Sequence, residues 1–289
     1  MDSRTHLIDG DYVADYETLR KIFWLHCRHT SVTYISRMTE MLETFTKGFN
    51  EYVGKSSEPG SMAKFLGYCY RSLADLQAGI GLIRKADHNG FKLIRGAMSF
   101  REPFTGWRLD EFNFQHFGYN RSGKPHQALW CWIDKVIPMS GKIEGTLEGD
   151  CTYPLFDISK FHFPDQFGGY PLAQDVFIKD GDDIPVSGVW QPKTLKGGCP
   201  NYFIRGEKAP KANLPILRID TPAYFDKGAD IHYPDRSQFD LGQFPTVWQL
   251  VWEDDRWRNG REPLREYEYI QGPDTEFPKE PPIALQDPP

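Results

Sequence analysis

The spacing of apolar residues changes once along this chain, near Arg101, and that change sets the fold class. Before it, Leu19, Ile22, Phe23, Tyr34, Met38, Met41, Leu42, Phe45 and Phe49 recur at three-and-four spacing. That is the pattern of helix with one apolar face. Asp15 is placed to cap the start, with Glu17 near the positive helix end. Gly54 to Gly60, with Pro59, interrupts the pattern. Ser61 then offers a cap for a second stripe, Met62, Phe65, Leu66, Cys69, Leu73, Leu76, Ile80 and Ile83, which Asn89-Gly90 closes. A third, shorter helix is expected from about Phe91. Two long amphipathic helices joined by a short loop predict an antiparallel hairpin, the start of a bundle.

After Arg101 the chain reads as strands. Leu129, Cys131 and Ile133 alternate with Trp130 and Trp132, which predicts a strand over 127–137, with 142–147 as its hairpin partner. Further strands are expected at 175–179, 188–190, 202–205, 217–219 and 247–252, separated by Pro and Gly. Helices first and strands afterwards imply an α+β fold: an N-terminal antiparallel helical bundle packed against a C-terminal antiparallel sheet with long loops. The expected division is a mainly helical region over 1–120, a sheet-rich region over 121–275 and a Pro/Glu-rich tail over 276–289.

Charge is uneven along the chain. Residues 1–120 carry 15 basic and 14 acidic side chains, and the remainder carries 19 and 26. An acidic second half argues against a direct nucleic-acid partner and favours a basic protein partner. No apolar run approaches the roughly 18 residues of a membrane span. The first ten residues hold no apolar export segment, so a cytoplasmic protein is expected. The five cysteines, at 27, 69, 131, 151 and 199, are odd in number and never form a CxxC pair. They are expected to be buried thiols rather than disulfides or zinc ligands.

Chemical motifs are sparse. Gly79-Ile-Gly81 lacks the rest of a phosphate-binding loop and lies in a helical pattern, so its glycines read as close helix packing. No GxSxG elbow occurs. Cys199 follows Gly197-Gly198 and could be accessible, with His162 or His232 as activators, but no family signature surrounds it. His26 and His29 lie three apart on one predicted helix, and His116 and His126 flank a polar loop. Neither pair has a carboxylate at ligand spacing, so no metal or cofactor is expected.

The densest cluster is Trp248-Gln-Leu-Val-Trp-Glu-Asp-Asp-Arg-Trp-Arg-Asn-Gly260. Trp248, Leu250 and Trp252 point one way in a half-buried strand. Glu253, Asp254 and Asp255 follow, then Arg256, Trp257 and Arg258. Adjacent strand residues face opposite sides, so only Glu253 and Asp255 could converge. Two converging acids could perform acid–base work or hold a divalent ion. Pairing with Arg256 and Arg258 would instead neutralise the cluster. The cluster then reads as an exposed tip beyond two core tryptophans.

Three segments resemble a known group of proteins: Ile184-Pro-Val-Ser-Gly-Val-Trp-Gln-Pro192, Cys199-Pro-Asn-Tyr-Phe-Ile-Arg-Gly-Glu-Lys-Ala-Pro210, and the Trp248–Gly260 stretch. They are similar to bacterial immunity proteins that accompany polymorphic or contact-delivered toxins of the type VI secretion kind, in particular the immunity protein 71 and immunity protein 72 families. The SG-x-W-x-P element would be Ser187, Gly188, Trp190 and Pro192. The R/K-x-GE-x-x-P element would be Arg205, Gly206, Glu207 and Pro210. The chain departs from the expected pattern at Trp257 and across Arg261–Leu264.

The resemblance implies an antidote without catalysis, which binds a cognate toxin and blocks it by occlusion. It implies that both elements are scaffold, along with Trp248 and Trp252. A basic-surfaced toxin such as a nuclease fits the acidity. Candidate contacts are Glu253, Asp254, Asp255, Arg256 and Trp257, with Asp180, Asp182 and Asp183 as a second acidic loop. The competing reading is a carbohydrate- or nucleotide-processing enzyme using Glu253 or Asp255 in an aromatic cleft. A third is a self-associating subunit with a large apolar patch.

Overall fold

A computed structural model describes residues 4–7, 14–54, 60–104, 124–149, 151, 158, 161, 163–193, 195, 198–221, 224–226, 231–233, 236–263, 266 and 269. The fold is α+β, with helices gathered in the N-terminal half and antiparallel sheets in the C-terminal half. The chain forms two compact units. One comprises Met1–Trp24, Gly149–Phe161 and Phe167–Asp254; the other comprises Leu25–Glu148, His162–Gln166 and Asp255–Pro289. Among the described residues, no helix is long and apolar enough to cross a membrane.

The helical unit is built on α2 (Val32–Gly54), α3 (Gly60–Ile83), α4 (Asn89–Ala97) and α5 (Lys124–Glu148). The stripe expected as one long first helix is broken. α1 spans Tyr16–His29, and α2 restarts at Val32 after a gap of two residues. Ser31 makes the break. Its hydroxyl donates to the Arg28 carbonyl (2.8 Å) and accepts the Tyr34 N–H (3.1 Å), an N-cap for α2. Asp15 caps α1 as expected, accepting the Thr18 N–H at 2.7 Å. That bond holds its carboxyl below the usual range. Asn89-Gly90 opens α4 rather than closing α3.

Gly79 and Gly90 bring α3 and α4 into backbone contact: a Cβ on Gly79 would stand 2.7 Å from the Gly90 carbonyl oxygen. Gly81 plays no such part, because open space surrounds it. Met38, Met41, Leu42, Phe45 and Phe49 are buried as the spacing predicts. Phe49 meets Phe65 at 5.5 Å between ring centres, joining α2 to α3. Such a pair adds about 0.5–1.5 kcal/mol beyond its buried area.

The strand expected over 127–137 and its partner over 142–147 are both helix, within α5. The decisive signal follows the tryptophans. Val136, Met139, Ile143 and Leu147 are all buried, at three-and-four spacing. The helical region therefore runs to Glu148, past the boundary expected at 120.

α1 is the element within which the two units divide. In its last turn His29 is fully buried, sharing a 3.0 Å hydrogen bond between Nδ1 and Thr146 Oγ1. Burial lowers its pKa well below the ordinary value, helped by Arg28, Lys142 and His26. The unfolded chain then binds a proton, near the ordinary pKa of about 6.5, that the folded chain resists. His29 thus contributes stability that is full above about pH 6.5 and lost as pH falls below it. In urea titrations across this window, wild type should lose stability more steeply than His29→Leu. Parallel curves would remove His29 as the cause.

The sheet unit holds a sheet in the order β1 (Arg4–Leu7), β5 (Ala212–Thr221), β8 (Arg236–Phe244). A second runs β2 (Phe177–Lys179), β9 (Val247–Glu253), β3 (Gly188–Pro192), β4 (Asn201–Phe203). β6 (Tyr224–Asp226) and β7 (Ile231–Tyr233) form a two-stranded ribbon. Every pairing in these sheets is antiparallel. The core of the second sheet gathers Ile178, Ile184, Trp190, Phe203, Trp248 and Leu250. Phe203 meets Trp248 edge to face at 4.7 Å. Trp248 donates its indole N–H to the Pro210 carbonyl at 2.8 Å. Phe23 of α1 packs edge-on against Trp252 at 5.7 Å. The expected tail over 276–289 lies outside the described residues.

Candidate functional site

The two motif elements come together in the sheet unit. β3 carries Gly188, Trp190 and Pro192, and the loops before β3 and after β4 are laced by backbone bonds. Ile184 N–H donates to the Glu207 carbonyl (2.9 Å), Gly206 N–H to Ile184 (2.9 Å) and Ala209 N–H to Asp182 (2.9 Å). Gly206 has φ +78°, a left-handed turn that suits glycine. Ser187 is buried, and its hydroxyl accepts the Arg205 N–H at 2.9 Å. The Ser187 carbonyl accepts the Asp254 N–H at 2.9 Å. Gly188 has φ +155° and lies directly against the Trp252 carbonyl. Trp190 is fully buried. These geometries give both elements a local packing role.

The acidic triplet does not form an exposed tip. Glu253 and Asp255 are exposed, whereas Asp254 is buried and accepts the Tyr202 hydroxyl at 2.8 Å. This corrects Asp254 as a surface contact. The reason is a one-residue bulge at Val251: Leu250 pairs with Trp190 but Trp252 pairs with Val189, so Trp252 leaves the face of Trp248 and Leu250 for that of Val189 and its partner Tyr202, whose hydroxyl reaches Asp254. Tyr202, buried on β4, is the partner that sequence reasoning missed.

Arg256 is also turned inward. Within the helical unit it donates to the Cys27 carbonyl (2.9 Å), the Thr30 carbonyl (3.4 Å) and Thr30 Oγ1 (2.7 Å). Those are acceptors at the C-terminal end of α1, where a cation is favoured. Glu266 stands beside it, fully buried, with 4.0 Å between Arg256 Nη1 and Glu266 Oε1. Glu266 accepts the Val32 N–H (3.4 Å) and Thr33 N–H (3.0 Å), the first amides of α2. One ion pair thus serves two helix ends of opposite polarity. Nothing in the sequence marked Glu266, because its partners lie more than 230 residues away.

Trp257 is half-buried with φ +66°, a backbone state costing about 1–3 kcal/mol for a non-glycine residue. Arg258 is exposed, and its N–H returns to the Asp255 carbonyl at 3.1 Å.

The second acidic loop is shaped by its own acids. Asp180 Oδ1 accepts the Thr246 N–H at 3.0 Å, and Asp182 Oδ2 accepts the Lys179 N–H at 2.8 Å. Asp183 pairs with Lys208 at 2.8 Å, an exposed bridge of about 0–1 kcal/mol. Asp182 and Asp183 remain on the surface.

Exposed apolar side chains along the chain just before this loop were not expected. Leu172 is 92% exposed and Phe177 49%, with Val176 also exposed. Among the described residues β2 is an edge of its sheet. Gln174 N–H donates to the Leu250 carbonyl (2.8 Å) and Leu250 N–H to the Val176 carbonyl (3.0 Å). The segment before β2 therefore runs beside β9 toward Glu253. Asp175, Asp182 and Asp183 are exposed along the same stretch of chain.

Among the described residues no cluster of three His, Cys, Asp or Glu side chains has metal-binding geometry. Cys199 is buried, and its suggested activators His162 and His232 lie outside the described side chains, as do His116 and His126. No described protein family, curated protein or solved structure matches this chain.

Proposed function

We propose that this chain is an immunity protein that binds a cognate secreted bacterial toxin in the cytoplasm and neutralises it by stoichiometric occlusion. The resemblance of its three motif segments suggests the family. The observation that carries the reading is the exposed edge of the second sheet: Leu172, Val176 and Phe177 bordered by Asp175, Asp182 and Asp183. Exposed apolar side chains interspersed with acids along a sheet edge suit a protein-binding surface. Those acids suit a toxin with a basic face, such as a nuclease, and steer that encounter. Glu253 and Asp255 flank a buried Asp254, an arrangement that suits an exposed rim better than a catalytic cleft.

The test is coexpression with the toxin-domain protein encoded beside this gene. Wild type should protect cells and co-purify with that protein. Phe177→Ala with Leu172→Glu should weaken the complex by about 2 kcal/mol or more, near 30-fold, while leaving thermal unfolding unchanged. Absence of both protection and a complex would sink the reading.

A further inference from the structure

We infer that Cys151 and Cys199 form a reversible intramolecular disulfide under peroxide. The pair lies wholly in the sheet unit, and the inference is independent of the antidote reading.

The two sulfurs are 2.8 Å apart, about 0.8 Å longer than the roughly 2.05 Å of a disulfide bond. Only a small approach separates contact from covalent bond. Neither backbone has to be recruited, because Asn201 holds both. Its Oδ1 accepts the Cys151 N–H at 2.5 Å, and its Nδ2 donates to the Cys151 carbonyl (3.2 Å) and the Cys199 carbonyl (3.1 Å). All of the carboxamide's hydrogens and one lone pair are committed to this task. Asn201 is itself buried, so water does not compete for these bonds. Ile22 packs with the two cysteines, and Ile158 borders them. The clamp joins residues 48 apart in sequence, one just after α5 and the other just before β4.

The chemistry balances with a small two-electron oxidant. The thiolate of Cys151, the more exposed at 7% against 2%, attacks one oxygen of hydrogen peroxide. The O–O bond breaks, giving a sulfenic acid and one water once protonated. The Cys199 sulfur then attacks the Cys151 sulfur and displaces the second oxygen as water. Two thiols and one peroxide become one disulfide and two waters. Burial favours peroxide over larger disulfide oxidants as the agent.

The experiment takes the reduced full chain, treats it with hydrogen peroxide, removes the peroxide, denatures it and alkylates remaining thiols. Intact mass should show two fewer alkyl groups than the untreated chain. A non-reducing digest should yield one linked peptide pair containing Cys151 and Cys199, and dithiothreitol should reverse both signals. A variant with Cys27, Cys69 and Cys131 all replaced by Ser should give the same linked peptide. Full alkylation after peroxide treatment, or a link to a different cysteine, would overturn the assignment. The wild-type chain alone decides the outcome, so a poorly folding variant does not block the test.

Discussion

Glu266→Ala is expected to cost about 3–5 kcal/mol of stability, the range for removing one member of a buried ion pair. The magnitudes show which interaction matters. At the observed 4.0 Å, attraction between Arg256 and Glu266 amounts to about 4 kcal/mol at an effective dielectric of 20. Burying each ion costs several kcal/mol, so the pair alone gains little. The balance comes from the helix ends. Glu266 satisfies two amides at the start of α2, and Arg256 satisfies three acceptors at the end of α1. Alanine at 266 exposes both faults, leaving amides without that acceptor and a guanidinium without its carboxylate. The double variant Arg256→Met, Glu266→Leu should lose less than the sum of the single changes, because no lone charge remains. Urea unfolding of the four proteins reads this directly. Additive losses would mean that the two residues act on separate helices without coupling.

Gly188→Ala should destabilise the sheet unit by a comparable amount. A methyl there overlaps the Trp252 carbonyl oxygen and stands 3.1 Å from the Glu253 Cα. Both neighbours are β9 backbone and cannot swing aside. Overpacking of this kind costs about 1–3 kcal/mol. Forcing a side chain to φ +155° adds about 1–3 kcal/mol more. Gly181→Ala is the control, because Gly181 also has positive φ, +87°, but nothing within 4 Å of the new methyl. It should lose only the backbone share. Equal unfolding midpoints for the two variants would show that the contact with β9 is not what requires glycine at 188.

Much of the sheet was legible in the chain. The segments around Gly188, Tyr202 and Val247 announce themselves by aromatic and β-branched residues between turn formers, and all became strands. The run from Leu129 to Ile133 misled for a physical reason. Five consecutive apolar residues carry no period, so they fit a doubly covered strand and a buried helix equally well. Length and the spacing of Val136, Met139, Ile143 and Leu147 favour helix. The α1–α2 break was readable at Ser31, since a serine before a helical stripe is a cap signal.

The candidate site was harder. The exposure of Glu253 and Asp255 was legible in the sequence, whereas the bulge at Val251, which turns Trp252 off the face of Trp248 and Leu250, was not. The inward turn of Arg256 was not legible either, because its acceptors are carbonyls of a helix end 226 to 229 residues earlier. Backbone acceptors leave no trace in side-chain identity. Leu172 and Phe177 were passed over because a solitary apolar residue in a loop is ordinary until its strand proves to be an edge.

The pairing of β1 with β5 has a consequence for how the protein is made. Leu7 lies opposite Leu217, 210 residues later in the chain. At a synthesis rate of about 5–20 residues per second, β1 waits roughly 10–40 s for its partner to be translated. The helices from Val32 to Glu148 emerge during that wait, before the Glu266 carboxylate that accepts the first α2 amides is made. Synthesis therefore leaves β1 unpaired until residue 217 is made, and the start of α2 without its Glu266 acceptor until residue 266 is made. A chaperone or a bulky N-terminal fusion would act in that interval, on a segment whose sheet does not yet exist.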